Sequence, residues 1–519
     1  MTNKSEESQN ELEIKAIQFP HMDAETYLDR YNLALNDRHS YWTARAEEFL
    51  EWTVEPKVVE QVIENQSHWF HGAELNVAYN CLDRHLATKG DDTAIIWVSE
   101  EIGVDRRITY NELYEKVEKL SNALASRGLE CHDKVCIYAT MLPETIVSML
   151  ACARLGLIYE FVDLMRDSEE IAEQVKVIKP LAIITADEGR REGRSFRLFK
   201  HAQDLAEEIE SIETIVVIRN KGTEEDLKEG RDIWFDEFLD DDYPQTAPAS
   251  VPACQSLFLS YQHDNPGTHL GFTNGGYLLY CAMLYRRVFD YQDGDVFWVA
   301  TNFNVVTGHA LAIWGALANG ATTVIYDDDA NLIGHHRFWQ IVADYKVNIL
   351  YAREDGLEQM VVAELDAEER RSWETLRVVG LAFSEDNAEV IARCQELRFD
   401  YTKIISTTNL YGTGQILFAH EAGDEVYHGL GEPFFGIAPL IVDEENGEII
   451  EELVAEGMLK LKYSWPSQNR LILPNVGLQS ADKTEALVGQ WEKNGSYINT
   501  GLYVRRDASG HYFLSEKKL

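Results

Sequence analysis

The chain has 519 residues, which at about 100–200 residues per domain predicts three or four domains or lobes. Forty-five per cent of the residues are hydrophobic, so a large core is easily built. The formal net charge of −41 disfavours nucleic acid and anionic membranes as partners, because both are polyanions. We interpret this acidity as an adaptation for solubility or salt rather than as a sign of an acidic-protein function.

The cysteines and the termini indicate a cytoplasmic protein. The seven cysteines are scattered and form no CxxC pair, so they predict no disulfide framework and no zinc site. The polar, acidic N-terminus is not a signal peptide, and no run of about 18 apolar residues marks a membrane span. A reducing, intracellular compartment fits these features.

The first half of the chain predicts a doubly wound parallel sheet. Residues 1–20 are predicted to be a disordered tail, and residues 21–70 an aromatic, helical segment that wraps a larger body. Thr109 and Glu112 form a capping box, and apolar residues keep helical spacing from there to Gly128. The elements that follow alternate as strand 134–138, helix 143–155, strand 157–162, helix 168–178 and strand 182–185.

A second α/β set and a β-rich lobe complete the predicted architecture. Further strands are predicted at 214–218, 296–300, 322–326, 348–351, 376–380 and 401–405, with helices at 309–317 and 338–345. Short strands separated by turn signals follow from residue 429. We therefore predict a first α/β subdomain within 21–250, a second within 251–428 and a β-rich lobe in 429–519.

Residues 257–280 have the layout of a phosphate cradle but not its chemistry. A buried strand leads through a polar loop to Gly275 and Gly276 ahead of an apolar helix, and helix N-termini offer free N–H groups to anions. A working cradle needs several glycines and a lysine. Between residues 262 and 272 the chain has Gly267 and Gly271, no lysine or arginine, and an Asp264 that would repel phosphate.

Several blocks of the chain resemble the AMP-forming acetyl-CoA synthetases of the acyl-adenylate-forming superfamily. They include HWFHGAELNVAYNCLDRHL (68–86), KVCIYATMLPETIVSMLACARLG (134–156), VVTGHALAIWGALANGATTVIYD (305–327) and PFFGIAPLIVDEENGE (433–448). The resemblance implies an α/β fold with a large N-terminal body of two doubly wound α/β subdomains plus a β-rich lobe. The family's small mobile C-terminal domain is expected to be absent. Members form acyl-AMP from ATP and a carboxylate and then pass the acyl group to CoA.

Compared residue by residue with this family, the expected active site is degenerate. The family's Pro-Lys-Gly loop has no counterpart in 262–272, and its Gly-Glu-Pro motif corresponds to Phe383-Ser384-Glu385. Its Asp-Thr-Trp-Trp-Gln-Thr-Glu motif corresponds to 406–412, where Thr407 alone matches and Gly412 replaces the metal-side glutamate. The ribose-binding aspartate corresponds to Leu502. These losses remove most of the positioning and charge neutralisation on which phosphoryl chemistry depends.

Other positions keep the family pattern. Gly267, Thr407 and Arg191 are remnants of the cofactor-binding positions, with Arg191 at the site of a CoA-phosphate arginine. The candidate acyl pocket is formed by Val305, Val306, Thr307 and Asn409, and it is expected to be wide and polar because Val305 and Asn409 replace tryptophans. No catalytic residue and no metal ligand is predicted.

Ordinary structural roles compete with function at the remaining polar residues. We interpret Gly275 and Gly276 as packing positions, His309 as a helix-start residue, and Arg191 as part of an exposed basic loop more readily than an anion site. His263 and His269 near Asp264 are more readily solvated than metal-bound. Glu160 and Asp163 lie near the end of a strand, where ligands bind in open α/β sheets, and could form an acid pair there. We favour the interpretation that both lie in a surface loop.

Two functions from different classes follow. The first is a pseudoenzyme homologue of acetyl-CoA synthetase, a binding, scaffold or regulatory protein with no cofactor expected. Its possible partners are an active acyl-CoA synthetase or another protein subunit, but neither nucleic acid nor membrane. The alternative is a divergent acyl-adenylating or acyl-CoA ligase enzyme. It would use ATP, Mg²⁺ and CoA on an unusual carboxylic acid, or with a partner that supplies the C-terminal domain.

Overall fold

The structure is a computed structural model. It describes residues 19–63, 66–101, 103–223, 225–262, 268–301, 306–361, 365–382, 388–409, 415–422, 429–472 and 497–515.

Sixteen α-helices lie in the described ranges. In chain order they are α1 Ala24–Asn36, α2 Arg38–Phe49, α3 Val77–Cys81, α4 Leu86–Lys89, α5 Tyr110–Ser126, α6 Pro143–Leu155, α7 Ser168–Ile178, α8 Leu198–Glu208, α9 Phe235–Asp240, α10 Asn274–Arg287, α11 Val306–His309, α12 Ala316–Ala318, α13 His335–Asp344, α14 Glu354–Val361, α15 Ala367–Ser372 and α16 Ala388–Leu397. A π-helical stretch, Ala310–Gly315, joins α11 to α12. No helix in the described part of the chain is long and apolar enough to cross a membrane.

The strands of the described residues form two large sheets and several small ones. In chain order they are β1 Glu60–Ile63, β2 Gln66–Trp69, β3 Glu74–Leu75, β4 Thr93–Val98, β5 Arg106–Thr109, β6 Lys134–Tyr138, β7 Ile158–Phe161, β8 Ala182–Ala186, β9 Gly189–Arg191, β10 Arg194–Phe196, β11 Thr214–Ile218, β12 Asp232–Trp234, β13 Val251–Pro252, β14 Ser256–Tyr261, β15 His269–Thr273, β16 Val296–Ala300, β17 Thr322–Tyr326, β18 Ile349–Arg353, β19 Val378–Ala382, β20 Lys403–Asn409, β21 Ile416–Glu421, β22 Glu432–Pro433, β23 Pro439–Val442, β24 Ala455–Leu461, β25 Arg470–Ile472, β26 Ile498–Arg506 and β27 Tyr512–Leu514.

The first large sheet confirms the predicted doubly wound arrangement. Its order is β12-β11-β8-β6-β7-β14-β15-β25, and the six strands from β12 to β14 run parallel. The connecting helices begin and end as their sequences require. Thr109 and Glu112 form both hydrogen bonds of the capping box of α5. Helix α6 begins at Pro143 and ends at Leu155. The next residue, Gly156, has a φ of 74° that is unfavourable for a side chain.

The second large sheet takes its strands from two separate parts of the chain, β4 and β5 near the start and β16 to β22 further on. Its order is β22-β21-β20-β19-β18-β16-β17-β4-β5, with a parallel centre from β20 to β4 and antiparallel edges. Strands β4 and β5 thus belong to the second sheet, whereas β14 and β15 belong to the first. The predicted boundary at residue 250 therefore does not coincide with a boundary between the two sheets, because each sheet takes strands from both sides of it. The domain limits stay a prediction.

The last lobe is an antiparallel sheet, and the N-terminal segment packs against the chain leading into it. Strands β23, β24, β26 and β27 pair in this order, while β25 leaves the lobe to join the edge of the first sheet. In the N-terminal helices, Tyr27 and Tyr41 are buried with their rings 6.1 Å from Phe435. This contact confirms that the aromatic helices wrap a larger body, because burying aromatic rings stabilises such a segment.

Candidate active site

The carboxyl end of β7 and the middle of β14 meet the helix that starts at Val306. The buried imidazole of His309, at the end of α11, lies 5.9 Å from the ring of Phe161 and 5.4 Å from that of Phe258. In open α/β sheets, ligands bind beyond the carboxyl ends of the strands. This junction is therefore where the structure places the candidate site.

The loop expected to cradle phosphate connects β14 to β15. The backbone N–H of Gln262 donates to the carbonyl oxygen of Thr268 at 2.9 Å and closes the hairpin. Residues 263–267, with His263, Asp264 and the predicted remnant Gly267, lie outside the described residues. At the start of α10, a Cβ on Gly276 would lie 2.0 Å from the carbonyl oxygen of Pro466. The two glycines are confirmed as packing positions.

Glu160 and His269 form a buried pair beside this loop. The sequence interpretation of both residues as solvent-exposed is wrong, because both are buried, Glu160 completely. Glu160 Oε1 lies 3.2 Å from His269 Nε2 and accepts a hydrogen bond from Gln174 Nε2 at 2.7 Å. Its second oxygen, Oε2, has no hydrogen-bond partner among the described residues. The pair crosses β14, which lies between β7 and β15. Among the described residues, the partners of Glu160 are thus His269 and Gln174, and not Asp163, the acid partner that the sequence interpretation did not favour.

A relay of hydrogen bonds holds the end of β20. Asn409 Nδ2 donates to the Tyr351 hydroxyl at 3.0 Å, and the Thr407 hydroxyl donates to the carbonyl oxygen of Leu381 at 3.0 Å. The Tyr351 and Thr407 oxygens are 3.1 Å apart, so Tyr351 is left to donate to Thr407. Burial raises the pKa of Tyr351, against the effect of these two hydrogen bonds. The hydroxyl of Thr407, the one residue that matches the family motif, therefore forms its hydrogen bonds within the fold.

The predicted acyl-pocket residues lie on two different elements. Thr307 is buried and Val306 is half-buried at the start of α11, and Asn409 ends β20. The Oδ1 atom of Asn409 is buried and has no hydrogen-bond partner among the described residues, so it offers an acceptor to a ligand. Val305 lies outside the described residues.

Arg191 is not part of an exposed basic loop, and that expectation is wrong. It ends β9 with its side chain buried, and Nη2 lies 3.4 Å from Asp329 Oδ2 and 3.8 Å from Glu192 Oε1. Asp329 follows β17 in an Asp-Asp-Asp run and also accepts a hydrogen bond from the backbone N–H of Asn331. The guanidinium is thus already neutralised by carboxylates of the protein.

The same run contains a carboxyl that is hard to ionise. The pKa of Asp327 is raised to about 7, mainly because of burial, and Asp328 and Glu100 raise it further. Lys221 and Arg106 oppose the rise. Asp329 of the same run pairs with Arg191, and Asp328 accepts a hydrogen bond from the backbone N–H of Glu192. It is these two residues that make the surroundings of Arg191 unfavourable for an anionic ligand.

The described residues fit the family's cofactors poorly. The described end of β20, from Ser406 to Asn409, carries hydroxyl and amide groups and no carboxylate for Mg²⁺. Half-buried Leu502, on β26, offers no side-chain hydrogen bond to a ribose. Arg191, which the resemblance places at a CoA-phosphate position, is occupied by Asp329. The residues 383–385 and 410–412, which the resemblance places near adenine and metal, lie outside the described residues.

Tertiary structure reveals partners that the sequence interpretation missed. Tyr351 joins Thr407 to Asn409, and Asp329 neutralises Arg191. A usable signal was present for Asp329, which follows the buried strand β17 of a parallel sheet, because ligands bind beyond the carboxyl ends of such strands. Tyr351 carries no such signal, because it lies in the middle of β18. No sequence signal pairs Glu160 with His269.

Comparisons with known proteins agree with this architecture. The family model "AMP-binding enzyme" matches residues 82–256 and 268–461, and "Acetyl-coenzyme A synthetase N-terminus" matches residues 27–81. The acetyl-coenzyme A synthetases of Halorhodospira halophila and Alkalilimnicola ehrlichii are each 34% identical over 502 residues, covering 95% of this chain and 76% of the relative. The structure of acetoacetyl-CoA synthetase from Streptomyces lividans superposes with a TM-score of 0.82 at 18% identity, covering 95% of this chain and 75% of that one, and supports the fold.

These findings also correct the expectation that no cofactor is used. The matching family is one of AMP-binding enzymes, and the relatives are acetyl-coenzyme A synthetases, so ATP, Mg²⁺ and CoA are the cofactors that membership implies. The matches together span nearly the whole described body. The chain belongs to the family of AMP-binding, acyl-adenylate-forming enzymes and is acetyl-CoA synthetase-like.

Proposed function

We propose that this chain is a degenerate acetyl-CoA synthetase-like protein, in which carboxylate-dependent adenylation is strongly weakened and the body serves binding, scaffolding or regulation. One observation carries the proposal. The AMP-binding family model is matched up to residue 256 and again from residue 268, and the interval between them contains no lysine or arginine from residue 262 onward. Phosphoryl chemistry requires charge neutralisation at this loop.

The described residues beside the interval support the proposal. His269 and Glu160 bring a carboxyl group to the base of the loop, with one oxygen unpaired among the described atoms. A carboxyl group at this position supplies no positive charge to neutralise a polyphosphate. The carboxylate of Asp329 neutralises the positive charge of Arg191, which an anionic ligand would otherwise use. Each feature weakens the transition-state interactions, and neither disturbs the fold.

The proposal also includes a protein partner. A chain that keeps the family's body without its chemistry is suited to associate with an active acyl-CoA synthetase or another protein subunit. A tagged full-length chain, expressed in its natural host, is expected to co-purify with such a subunit. Purification as a single species would contradict this part of the proposal.

The decisive experiment is carboxylate-dependent ATP–pyrophosphate exchange with the purified full chain. We expect no exchange above a blank without protein, with the Halorhodospira halophila relative as the positive control. Calorimetric titration with Mg·ATP, AMP and CoA should accompany it, because the cofactors of the family remain the ligands to test. Exchange with acetate above the blank would refute the degenerate function.

A variant that restores a family residue tests whether the nucleotide site has lost its binding groups or whether the assay has failed to detect binding. Leu502→Asp restores the carboxylate that the family places at the ribose, and we expect it to tighten AMP binding by about tenfold through new hydrogen bonds. Leu453→Asp is the control, because Leu453 is 62% exposed. Equal AMP affinity in both variants would mean that the nucleotide does not reach Leu502.

The second candidate function is a divergent enzyme for an unusual acid. The observation that favours it is Asn409, whose buried Oδ1 accepts no hydrogen bond within the described structure. A hydroxy or amino acid substrate could donate to this atom, whereas acetate has no such donor. The exchange assay should therefore include hydroxy and amino carboxylic acids. Activity with these acids, abolished by Asn409→Leu, would favour this candidate over the first.

A further inference from the structure

Three metal-binding side chains meet outside the candidate active site. His68 lies on β2, His71 in the turn that follows, and Cys254 in the turn between β13 and β14. One ligand atom from each lies within 4.8 Å of the other two. The Cys254 Sγ and His71 Nδ1 atoms are 3.9 Å apart. Cys254 is distant from both histidines in sequence, which is why the sequence predicts no metal site.

The backbone holds the two turns together. Strands β3 and β13 pair so that Val251 lies opposite Leu75. The N–H of Ala253 donates to the carbonyl oxygen of Ala73 at 2.8 Å. Ala253 is in turn tied to α10, because its carbonyl accepts from the N–H of Gly275 at 2.9 Å. The ligands therefore project from a rigid frame, and a metal would not need to order it.

The ligand set and the spacing match zinc. Zinc–sulfur and zinc–nitrogen bonds of about 2.3 and 2.0–2.1 Å place tetrahedral donor atoms about 3.4–3.6 Å apart. The 3.9 Å between Cys254 Sγ and His71 Nδ1 is larger by about 0.3 Å, and the other separations, which are at most 4.8 Å, are larger by no more than about 1.4 Å, so side-chain rotation can close them. We propose that His68, His71 and Cys254 bind one Zn²⁺, with solvent as the fourth ligand. Binding releases the Cys254 thiol proton to solvent.

Arg470 is a neighbour that opposes the metal. Its Nη1 lies 3.0 Å from His68 Nδ1. The guanidinium has no acceptor atom, so Arg470 donates and His68 Nδ1 is the unprotonated nitrogen of a neutral ring, ready to bind a metal. Burial lowers the pKa of Arg470, and the nearby Cys254 opposes that shift. Zinc binding at Nδ1 must displace this hydrogen bond, so we expect weaker binding than at a closed four-ligand site.

The test is metal binding by the full-length chain, stripped with a chelator and dialysed. Equilibrium dialysis at free Zn²⁺ of order micromolar should leave one zinc per chain, measured by mass spectrometry of the metal. Substitution by Co²⁺ should give a thiolate-to-cobalt charge-transfer band together with the strong visible bands of tetrahedral cobalt. Wild-type protein without bound zinc under these conditions would overturn the proposal.

Two variants locate the site. Cys254→Ser should abolish the charge-transfer band and weaken zinc binding at least about tenfold, and His71→Ala should weaken it similarly. Cys131→Ser is the matched control, because Cys131 and Cys254 are the two cysteines that are not fully buried. Zinc retained in Cys254→Ser with unchanged affinity would overturn the assignment. It would instead point to the other group of possible ligands, formed by His335, His336 and Glu369.

Neither result depends on adenylation. Loss of zinc binding in Cys254→Ser leaves the exchange assay unaffected, and absence of exchange leaves the zinc titration unaffected. Circular dichroism of each variant confirms that the fold is kept, because none of the substituted side chains belongs to the fully buried core.

Discussion

Acid should destabilise the β20–β21 pair through one buried histidine. His420 lies on β21 opposite Ser406, only 1% exposed, and burial lowers its pKa from 6.5 to about 3. In the unfolded chain the imidazole takes up a proton near its ordinary pKa, whereas in the fold it stays neutral. The stability that depends on the neutral form is thus present above about pH 6.5 and is lost as pH falls.

The size of the effect follows from the two pKa values. Between about pH 7 and pH 5 the unfolded state gains roughly 2 kcal/mol from protonation of His420, and the folded state gains almost nothing. His420→Gln removes the titrating group but keeps a polar side chain. The free-energy difference between the two proteins should therefore shift by about 2 kcal/mol in favour of the variant over that interval.

Hydrogen exchange of peptides covering β20 and β21 is the appropriate assay, because it reports local opening and does not require a multi-sheet chain to unfold in one step. His21 and His85, with pKa values lowered to about 4 mainly by burial, respond to acid in both proteins and cancel in the comparison. His39→Gln, at an exposed position, is the control. If wild type and His420→Gln lose protection in parallel, the assignment of a neutral buried His420 is wrong.

Three further predictions concern the candidate site. Glu160→Ala and His269→Ala should each cost about 1–3 kcal/mol, because each removes one member of a buried polar pair, and the double variant should cost less than their sum in urea unfolding. A strictly additive cycle would contradict the pairing. Asp329→Asn should tighten CoA binding in calorimetry by about tenfold by releasing Arg191, and unchanged affinity would show that CoA does not reach it. Tyr351→Phe should cost about 1–3 kcal/mol of unfolding free energy, because it removes the middle of a buried relay, and a neutral effect on thermal unfolding would refute that relay.

Local sequence rules predicted most of the α/β body. The capping box at Thr109, the proline start of α6 and the glycine after it each fix an element through contacts within a few residues. Helix α7 has the predicted limits, and strands β6 and β8 agree within one residue. Short apolar runs bounded by such signals leave little choice of secondary structure.

The assembly of the sheets did not follow from those rules. Strand β4 joins β17 and strand β14 joins β7, and each pair is distant in sequence. Apolar strands of equal length and pattern fit several neighbours, so the helices packed on both faces decide the order.

The sequence by itself determined the family, the two α/β sets and the absence of a lysine from the phosphate loop, since these are properties of the order of residues. Tertiary structure alone decided which polar groups are buried and with what they pair. It buried Arg191 against Asp329, and Glu160 against His269 across a strand. It also brought His68 on β2 close to His71 and Cys254, which lie on two neighbouring turns. Whether a polar side chain is buried, and which group it pairs with, depends on residues far apart in the chain, because desolvation and Coulomb energy act through space.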